Sequence, residues 1–131
     1  MVDKADPLRD KKHVLVVEDN NAISTLIKLR LQKENFDVTQ IYDGREAHEY
    51  LTEVDKKPDV VVLDLMLPEM DGFEILRRIR DNEELSDVKV LILSAKAREE
   101  DLVKGLELNA DEYMTKPFKI EEFIVRLRKL L

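Results

Sequence analysis

Five short runs of β-branched and other apolar residues alternate along the chain with five segments of helical periodicity, and this alternation limits the fold more than any other feature. The runs are His13 to Val17, Val38 to Tyr42, Val60 to Leu63, Val88 to Leu93 and Glu112 to Thr115. A strand followed by a helix and then by another strand favours parallel pairing through a right-handed crossover. The sequence therefore predicts an α/β fold, in which a doubly wound, five-stranded parallel sheet has helices on both faces.

The runs differ in how continuous their apolar residues are. The first, third and fourth consist almost entirely of valine, leucine and isoleucine, as is typical of strands covered on both faces. We therefore expect these three at the centre of the sheet and the second and fifth at its edges. At the helix boundaries, Asn20 and Asp71 are candidate N-caps, Gly44 and Gly72 lie at strand-to-helix turns, and Asn109 suits a left-handed residue after a helix.

The composition limits the size and setting of this fold. With 131 residues and 44% hydrophobic content, the chain suits one domain, assigned to residues 13–131, after a flexible N-terminal extension at residues 1–12. No apolar run approaches the length of a membrane helix, the extension lacks the apolar stretch of a secretory signal, and cysteine is absent. A net charge of -7 disfavours binding of nucleic acid. We therefore expect a cytoplasmic protein that contacts neither membrane nor nucleic acid directly.

Polar side chains stand where the predicted strands end. Glu18 and Asp19 follow the first strand, Asp64 the third, Ser94 the fourth and Lys116 the fifth. In a doubly wound sheet these positions share one edge, where ligands bind. Any one of the acids is explained more simply as a helix cap or a solvated turn residue. Together, however, three carboxylates would repel one another unless a lysine and a hard divalent cation such as Mg²⁺ offset their charge.

Four motifs resemble those of the response-regulator receiver domain, the phosphoacceptor module of two-component signalling. They are Val-Val-Glu-Asp-Asn at 16–20, Asp-Leu-Met-Leu-Pro-Glu-Met-Asp-Gly at 64–72, Leu-Ser-Ala-Lys at 93–96 and Thr-Lys-Pro-Phe at 115–118. The motifs have the order and spacing of the family, and the resemblance covers His13 to Leu131. It implies a flavodoxin-like, CheY-like sheet with strand order 2-1-3-4-5 and five helices.

The resemblance also implies a role for each residue at the sheet edge. Asp64 would be the phosphoacceptor, and Ser94 and Lys116 would bind phosphoryl oxygens. Mg²⁺, or Mn²⁺, would be bound by Asp19, Asp64, the backbone carbonyl of Met66 and, through water, Glu18. The Lys116-Pro117 peptide bond would be cis. The phosphoryl donor would be a sensor histidine kinase or a histidine phosphotransfer protein, and the chain would promote its own phosphorylation and dephosphorylation without being a conventional enzyme.

Tyr113 stands where the family has a switch aromatic that moves together with the Ser94 hydroxyl, although an exposed edge-strand tyrosine is the simpler alternative. The stretch from Lys104 to Tyr113 resembles the OmpR/PhoB-type transcription-regulator branch, which dimerises through helix four, strand five and helix five. The positions similar to that charged interface are Lys104, Glu107, Asp111, Glu112, Glu122 and Arg126. Leu102, however, occupies a position where this branch has a basic residue. A solvated helix face is the alternative for each charge, and this is also how we interpret Arg77, Arg78 and Arg80.

Several interpretations of the whole chain stay open at this point. The favoured one is a stand-alone receiver that relays phosphate from a sensor kinase to a phosphotransfer or target protein, and the second is a truncated transcription regulator. A haloacid-dehalogenase-type phosphatase also uses an aspartyl nucleophile with Mg²⁺, but that family has a second aspartate where this chain has Met66. A nucleotide-binding enzyme is disfavoured because no glycine-rich loop follows the first strand.

Overall fold

A computed structural model describes residues 11–96 and 98–131. All but the last two residues of the predicted N-terminal extension lie outside the described residues. The strands are β1 (His13–Val17), β2 (Asp37–Ile41), β3 (Val60–Leu63), β4 (Lys89–Ser94) and β5 (Glu112–Thr115). The helices are α1 (Asn21–Lys33), α2 (Gly44–Glu53), α3 (Gly72–Asp81), α4 (Glu99–Glu107) and α5 (Ile120–Lys129), and a short 3-10 helix, Glu83–Leu85, precedes β4.

The strands form one parallel sheet in the order β2-β1-β3-β4-β5, which confirms the predicted fold and strand order. β1 and β3 are almost completely buried, whereas the edge strands β2 and β5 are partly exposed, as their weaker apolar runs predicted. Three strands have the predicted bounds. β2 and β4 are each shifted by one residue at both ends: pairing starts β2 at Asp37, opposite His13, and continues β4 to Ser94, opposite Thr115.

The core consists of two apolar clusters, one on each face of the sheet. On one face, Leu15 and Val17 of β1 belong to a cluster with buried side chains of α2 and α3. On the other face, Val14 and Val16 of the same strand belong to a cluster with α1 and α5. Each side chain buried in this way contributes about 1.5–3 kcal/mol relative to exposure. Successive side chains of β1 thus pack against helices on opposite faces of the sheet. This packing fixes the position of the carboxyl end of the strand.

Side-chain caps determine where three of the helices begin. Asn20 accepts a hydrogen bond from the Ile23 amide at 3.0 Å, and Asp71 accepts one from the Glu74 amide at 3.1 Å, as predicted. Asp43 caps α2 in the same way, although the sequence analysis did not identify it. After α4, Asn109 has the predicted left-handed conformation, with φ of 64°. Among the described helices, none is both long enough and apolar enough to cross a membrane.

His13, at the start of β1, gives the fold a testable pH dependence. Its Nε2 lies 2.8 Å from the Thr39 hydroxyl, and burial lowers the pKa of the ring from its ordinary value of 6.5, although Asp37 and Asp59 act to raise it and Lys56 acts to lower it further. The folded protein therefore binds this proton more weakly than the unfolded chain. The stabilising contribution of the neutral ring is complete above pH 6.5 and is lost as the pH falls through the folded-state pKa.

We expect His13→Gln to reduce this loss, because glutamine can still hydrogen-bond to Thr39 but does not gain a charge. Urea denaturation from about pH 7.5 to about pH 5.5 should show the free energy of unfolding falling less in the variant than in wild type. His48→Gln, which removes an imidazole from the surface of α2, is the control. Parallel pH profiles for wild type and His13→Gln would contradict this prediction.

Candidate functional site

The carboxyl edge of the sheet brings together the acidic and basic side chains that the sequence predicted there. Lys116 Nζ lies 2.6 Å from Glu18 Oε1 and 3.1 Å from Asp64 Oδ2. The carboxylate oxygens of Glu18, Asp19 and Asp64 lie within 4.8 Å of one another. Glu18 and Asp64 are buried, while Asp19 is exposed. The site therefore contains three carboxylates and one ammonium group, with one carboxylate open to solvent.

The electrostatics of this cluster follow from burial and from the ion pairs of Lys116. Burial raises the pKa of Glu18, more than its hydrogen bonds from Lys116 and from the Asn20 amide lower it. Burial acts to lower the pKa of Lys116, but hydrogen bonds to Glu18 and Asp64 outweigh it and raise that pKa. Lys116 therefore stays protonated. With all three acids ionised, three carboxylates and one ammonium group leave the cluster with two net negative charges. Crowded oxygen donors with this charge fit a hard divalent cation such as Mg²⁺ or Mn²⁺.

The loop after β3 fixes the orientation of Asp64. The Asp64 amide donates to the Val17 carbonyl at 3.0 Å, and the Met66 amide donates to Asp64 Oδ1 at 3.0 Å. The Gly72 amide donates to the Leu65 carbonyl at 3.1 Å, and a Cβ on Gly72 would lie only 2.4 Å from the Asp64 carbonyl oxygen. Met66 is 56% exposed. One oxygen of Asp64 is thus oriented by a backbone amide and the other by Lys116.

β5 and the end of β4 place Ser94 beside Lys116. Ser94 is fully buried, and its carbonyl accepts a hydrogen bond from the Lys116 amide at 2.9 Å. The Ser94 hydroxyl accepts one from the Lys96 amide at 3.2 Å. The Lys116-Pro117 peptide bond is cis. Lys116 thus contacts both the acidic cluster, through its side chain, and Ser94, through its backbone.

Tyr113 contacts the same segment as Ser94. Its hydroxyl donates to the Lys96 carbonyl at 2.6 Å, and its ring lies close to Gly105 of α4 and packs against the apolar cluster that contains Ile92 of β4. The ring is half-buried, and burial, reinforced by Asp101 and Asp64, raises the pKa of Tyr113 to about 12. Lys96 was not singled out as a contact by the sequence analysis, because its two hydrogen bonds involve only the backbone. The hydroxyls of Ser94, in β4, and Tyr113, in β5, therefore both hydrogen-bond to the backbone of Lys96.

Several of the charged positions predicted for a dimer interface form ion pairs within the chain. Arg126 pairs with Glu122 at 3.0 Å and with Glu112 at 2.9 Å, within the same chain. Asp111 Oδ2 pairs with Arg80 at 2.7 Å and also accepts the Val90 amide. The prediction that Arg80 belongs to a solvated face is wrong. Its side chain is 18% exposed, and its guanidinium also donates to two backbone carbonyls.

Three further positions considered in the sequence analysis lie on α4, namely Leu102, Lys104 and Glu107. The Lys104 ammonium lies 4.5 Å from the centroid of the Phe73 ring, which is a cation–π distance. Glu107 is exposed near the end of α4, and Leu102 is half-buried. The same two helices also carry exposed apolar residues, with Val103 44% and Leu106 63% exposed on α4 and Val125 54% exposed on α5. Part of the predicted interface is thus occupied by contacts within the chain, and an apolar part is open.

Comparison with known proteins gives one family over nearly the whole chain. Residues 14–128 match the response regulator receiver domain. The transcriptional regulatory protein TrcR of Mycobacterium tuberculosis is 47% identical over 119 residues, which are 90% of this chain and 44% of that protein. The DNA-binding dual master transcriptional regulator RpaA of Synechocystis is 39% identical over 118 residues, 90% of this chain and 48% of that protein. The chain therefore spans about half the length of these relatives.

Solved structures agree with the sequence relatives. The receiver domain of the Francisella response regulator 1452 superposes with a TM-score of 0.83 at 35% identity, covering 92% of this chain and 96% of that one. The Mn²⁺-bound form of response regulator Rcp1 superposes with a TM-score of 0.79 at 28% identity, covering 91% of each chain. Both relatives named above are transcriptional regulators, in agreement with the predicted OmpR/PhoB-type branch. With this fold, these motifs and these matches, the chain belongs to the response regulator receiver domain family.

Proposed function

We propose that this receiver domain accepts a phosphoryl group on Asp64 from a sensor histidine kinase or a histidine phosphotransfer protein, in a reaction that requires Mg²⁺ or Mn²⁺. The observation that supports this best is the environment of Asp64. Its carboxylate is buried, lies 3.1 Å from the Lys116 ammonium and belongs to a group of three acids whose oxygens lie within 4.8 Å. Such an arrangement suits a nucleophile that must remain ionised while phosphoryl oxygens approach it.

Phosphoryl transfer to Asp64 requires that the reacting groups be positioned and that the charge on the phosphoryl oxygens be stabilised. An Asp64 oxygen attacks the phosphorus of a phosphohistidine, the new O–P bond forms as the P–N bond breaks, and the electron pair of that bond returns to the imidazole. Lys116 stabilises the charge on the phosphoryl oxygens, and the Met66 amide orients the carboxylate. Ser94 is the proposed hydroxyl donor to a phosphoryl oxygen. Attack of water on the acyl phosphate later restores Asp64 and releases phosphate.

The proposed metal ligands are Glu18, Asp19 and Asp64, with the backbone carbonyl of Met66 as a further donor. When bound, the ion supplies positive charge against both the carboxylates and the phosphoryl oxygens. Support comes from the oxygen-only donor set and its two net negative charges. The Mn²⁺-bound Rcp1 structure is of a related response regulator. Because Lys116 competes for Glu18 and Asp64, it also lowers the affinity of the apo site for the ion.

Output is proposed to start at Ser94 and Tyr113. The hydroxyls of Ser94 and Tyr113 both hydrogen-bond to the backbone of Lys96. A phosphoryl group on Asp64 would bind the Ser94 hydroxyl better in one arrangement of this segment than in another. This differential affinity shifts the population of the surface formed by α4, β5 and α5. We further propose that a second copy of this chain pairs with that surface through its open apolar residues. We also propose a cytoplasmic location, because the proposed phosphoryl donors act there. The net charge of -7 argues against direct binding of nucleic acid by this chain.

The first test is the mass of the intact protein after incubation with acetyl phosphate and Mg²⁺. We expect one phosphate adduct in wild type, no adduct when EDTA is present, and no adduct in Asp64→Asn, which lacks the nucleophile but keeps the fold because it relieves carboxylate repulsion. Asp81→Asn, at the exposed end of α3, is the matched control and should be phosphorylated. An adduct that persists in Asp64→Asn would disprove the assignment, and steady hydrolysis of small phosphate esters would favour a phosphatase.

Replacement of Lys116 tests whether its ammonium group competes with the metal ion for Glu18 and Asp64. We expect Lys116→Met to lower the free energy of unfolding by about 1–3 kcal/mol in EDTA, because Glu18 and Asp64 lose their shared partner, which is only half-buried. Added Mg²⁺ should then stabilise the variant more than wild type, since the ion no longer competes with an ammonium group. Urea denaturation with and without Mg²⁺ measures both effects, with Lys119→Met on the exposed start of α5 as control. Equal stabilisation of variant and wild type by Mg²⁺ would exclude the competition.

The proposed pairing is tested by sedimentation velocity. Beryllium fluoride mimics a phosphoryl group on a carboxylate, so wild type should change from monomer to dimer when it is added with Mg²⁺. Leu106→Glu should stay monomeric, because a charge at this 63% exposed position would be buried in the dimer. Leu29→Glu, at a 58% exposed leucine of α1, controls for loss of surface hydrophobicity. A sedimentation coefficient that is unchanged by beryllium fluoride in wild type would refute pairing.

A further inference from the structure

The loop between β3 and α3 contains a strained turn. Glu69 has φ of 71°, a left-handed conformation that residues with a Cβ rarely adopt. Across it, the Met70 amide donates to the Pro68 carbonyl at 2.8 Å, which makes Pro68, Glu69 and Met70 a γ-turn of the strained kind. Such a conformation persists only where its surroundings impose it. Some contact outside the turn must therefore stabilise it.

The first turn of α2 provides that contact. The Gly44 amide donates at 3.1 Å to the same Pro68 carbonyl that accepts the Met70 amide. A Cβ on Gly44 would lie 1.9 Å from the Met70 carbonyl oxygen and 2.9 Å from the Met70 Cβ, so only glycine allows this approach. The start of α2 is itself fixed, because Asp43 accepts a hydrogen bond from the Glu46 amide at 2.8 Å. Position 44 thus requires glycine because a side chain would collide with Met70. Backbone conformation does not require it, since the φ of Gly44 is not in the left-handed region.

The same loop orients Asp64. Its first half is fixed at Leu65, which is buried and whose carbonyl accepts the Gly72 amide. Its second half is fixed at the γ-turn by Gly44. Met66 lies between the two fixed points, so its backbone is constrained although its side chain is exposed, and its amide donates to Asp64 Oδ1 at 3.0 Å. A displacement of Met70 by even part of an ångström would be transmitted to this amide.

We propose that Gly44 is a positioning residue for phosphorylation of Asp64, acting through the γ-turn at Pro68–Met70 and the Met66 amide. The proposal rests on the proposed role of Asp64 as phosphoacceptor. Gly44 itself touches neither the acidic cluster nor Lys116 among its described contacts. A glycine needed only for packing would affect stability alone. A positioning glycine also affects the geometry of the site in molecules that remain folded.

The test compares Gly44→Ala with Arg45→Ala, which alters the next, exposed residue of the same helical turn. In Gly44→Ala the added methyl group must displace Met70. We expect a shift of the Met66 amide resonance in ¹H–¹⁵N spectra, weaker Mg²⁺ binding, and phosphorylation by acetyl phosphate at least about tenfold slower per folded molecule, as is typical of small misplacements of reacting groups. Arg45→Ala should match wild type in all three measurements.

A double variant supplies the rescue. Glycine at position 69 adopts positive φ without strain and gives the turn more room to move, so Gly44→Ala with Glu69→Gly should recover part of the lost rate. This variant replaces the single one if Gly44→Ala has too little folded protein to measure. A normal Met66 resonance and a normal rate per folded molecule in Gly44→Ala, beside an active wild type, would overturn the positioning role alone. A wild type that takes no phosphate on Asp64 would overturn the proposed function and, with it, this inference.

Discussion

One ammonium group lies between two buried carboxylates, and the arrangement at the carboxyl edge of the sheet depends on it. Lys116 lies 2.6 Å from Glu18 and 3.1 Å from Asp64, at a place where burial raises the pKa of Glu18. Its charge is sufficient to keep the acids compatible with the fold, but not to neutralise them. The two negative charges that remain are what makes the site suited to a divalent cation. Under the proposed metal binding, stability of the apo protein and affinity for the cation are thus opposed at Lys116.

Most of the fold follows from hydrophobic pattern, because burial on both faces of a parallel sheet leaves a strong signal in short apolar runs. The ends of β2 and β4 were misplaced by one residue because pairing, which is a property of the backbone, continues through Asp37 and Ser94. Asp43 was missed as a cap although Glu46 follows it at the spacing of a capping box, a signal that was present in the sequence. Glu69 gave no signal, since glutamate has no preference for positive φ.

The site was predictable to the extent that topology alone assembles it. Parallel strands end at one edge, so the residues after β1, β3 and β5 meet whatever the loops do. Contacts between loops and helices are a different matter. Arg80 has the sequence context of a solvated helix residue, yet its guanidinium donates to the carbonyls of Val88 and Asn109 and pairs with Asp111. Such contacts depend on how two distant segments approach, which neither periodicity nor spacing encodes.

The distribution of these contacts makes α4 unequal at its two ends. Its carboxyl end is followed by Asn109 and Asp111, both hydrogen-bonded to Arg80, and Gly105 alone is buried among the described residues of the helix. Its amino end begins at Arg98, which makes no side-chain cap hydrogen bond. This amino end follows the segment that Ser94 and Tyr113 contact through Lys96. Under the proposed switching, a ligand at Asp64 shifts only an element that has two arrangements close in free energy. The hydrogen bonds of Arg80 at the carboxyl end of α4 make its amino end the part expected to move in such a shift.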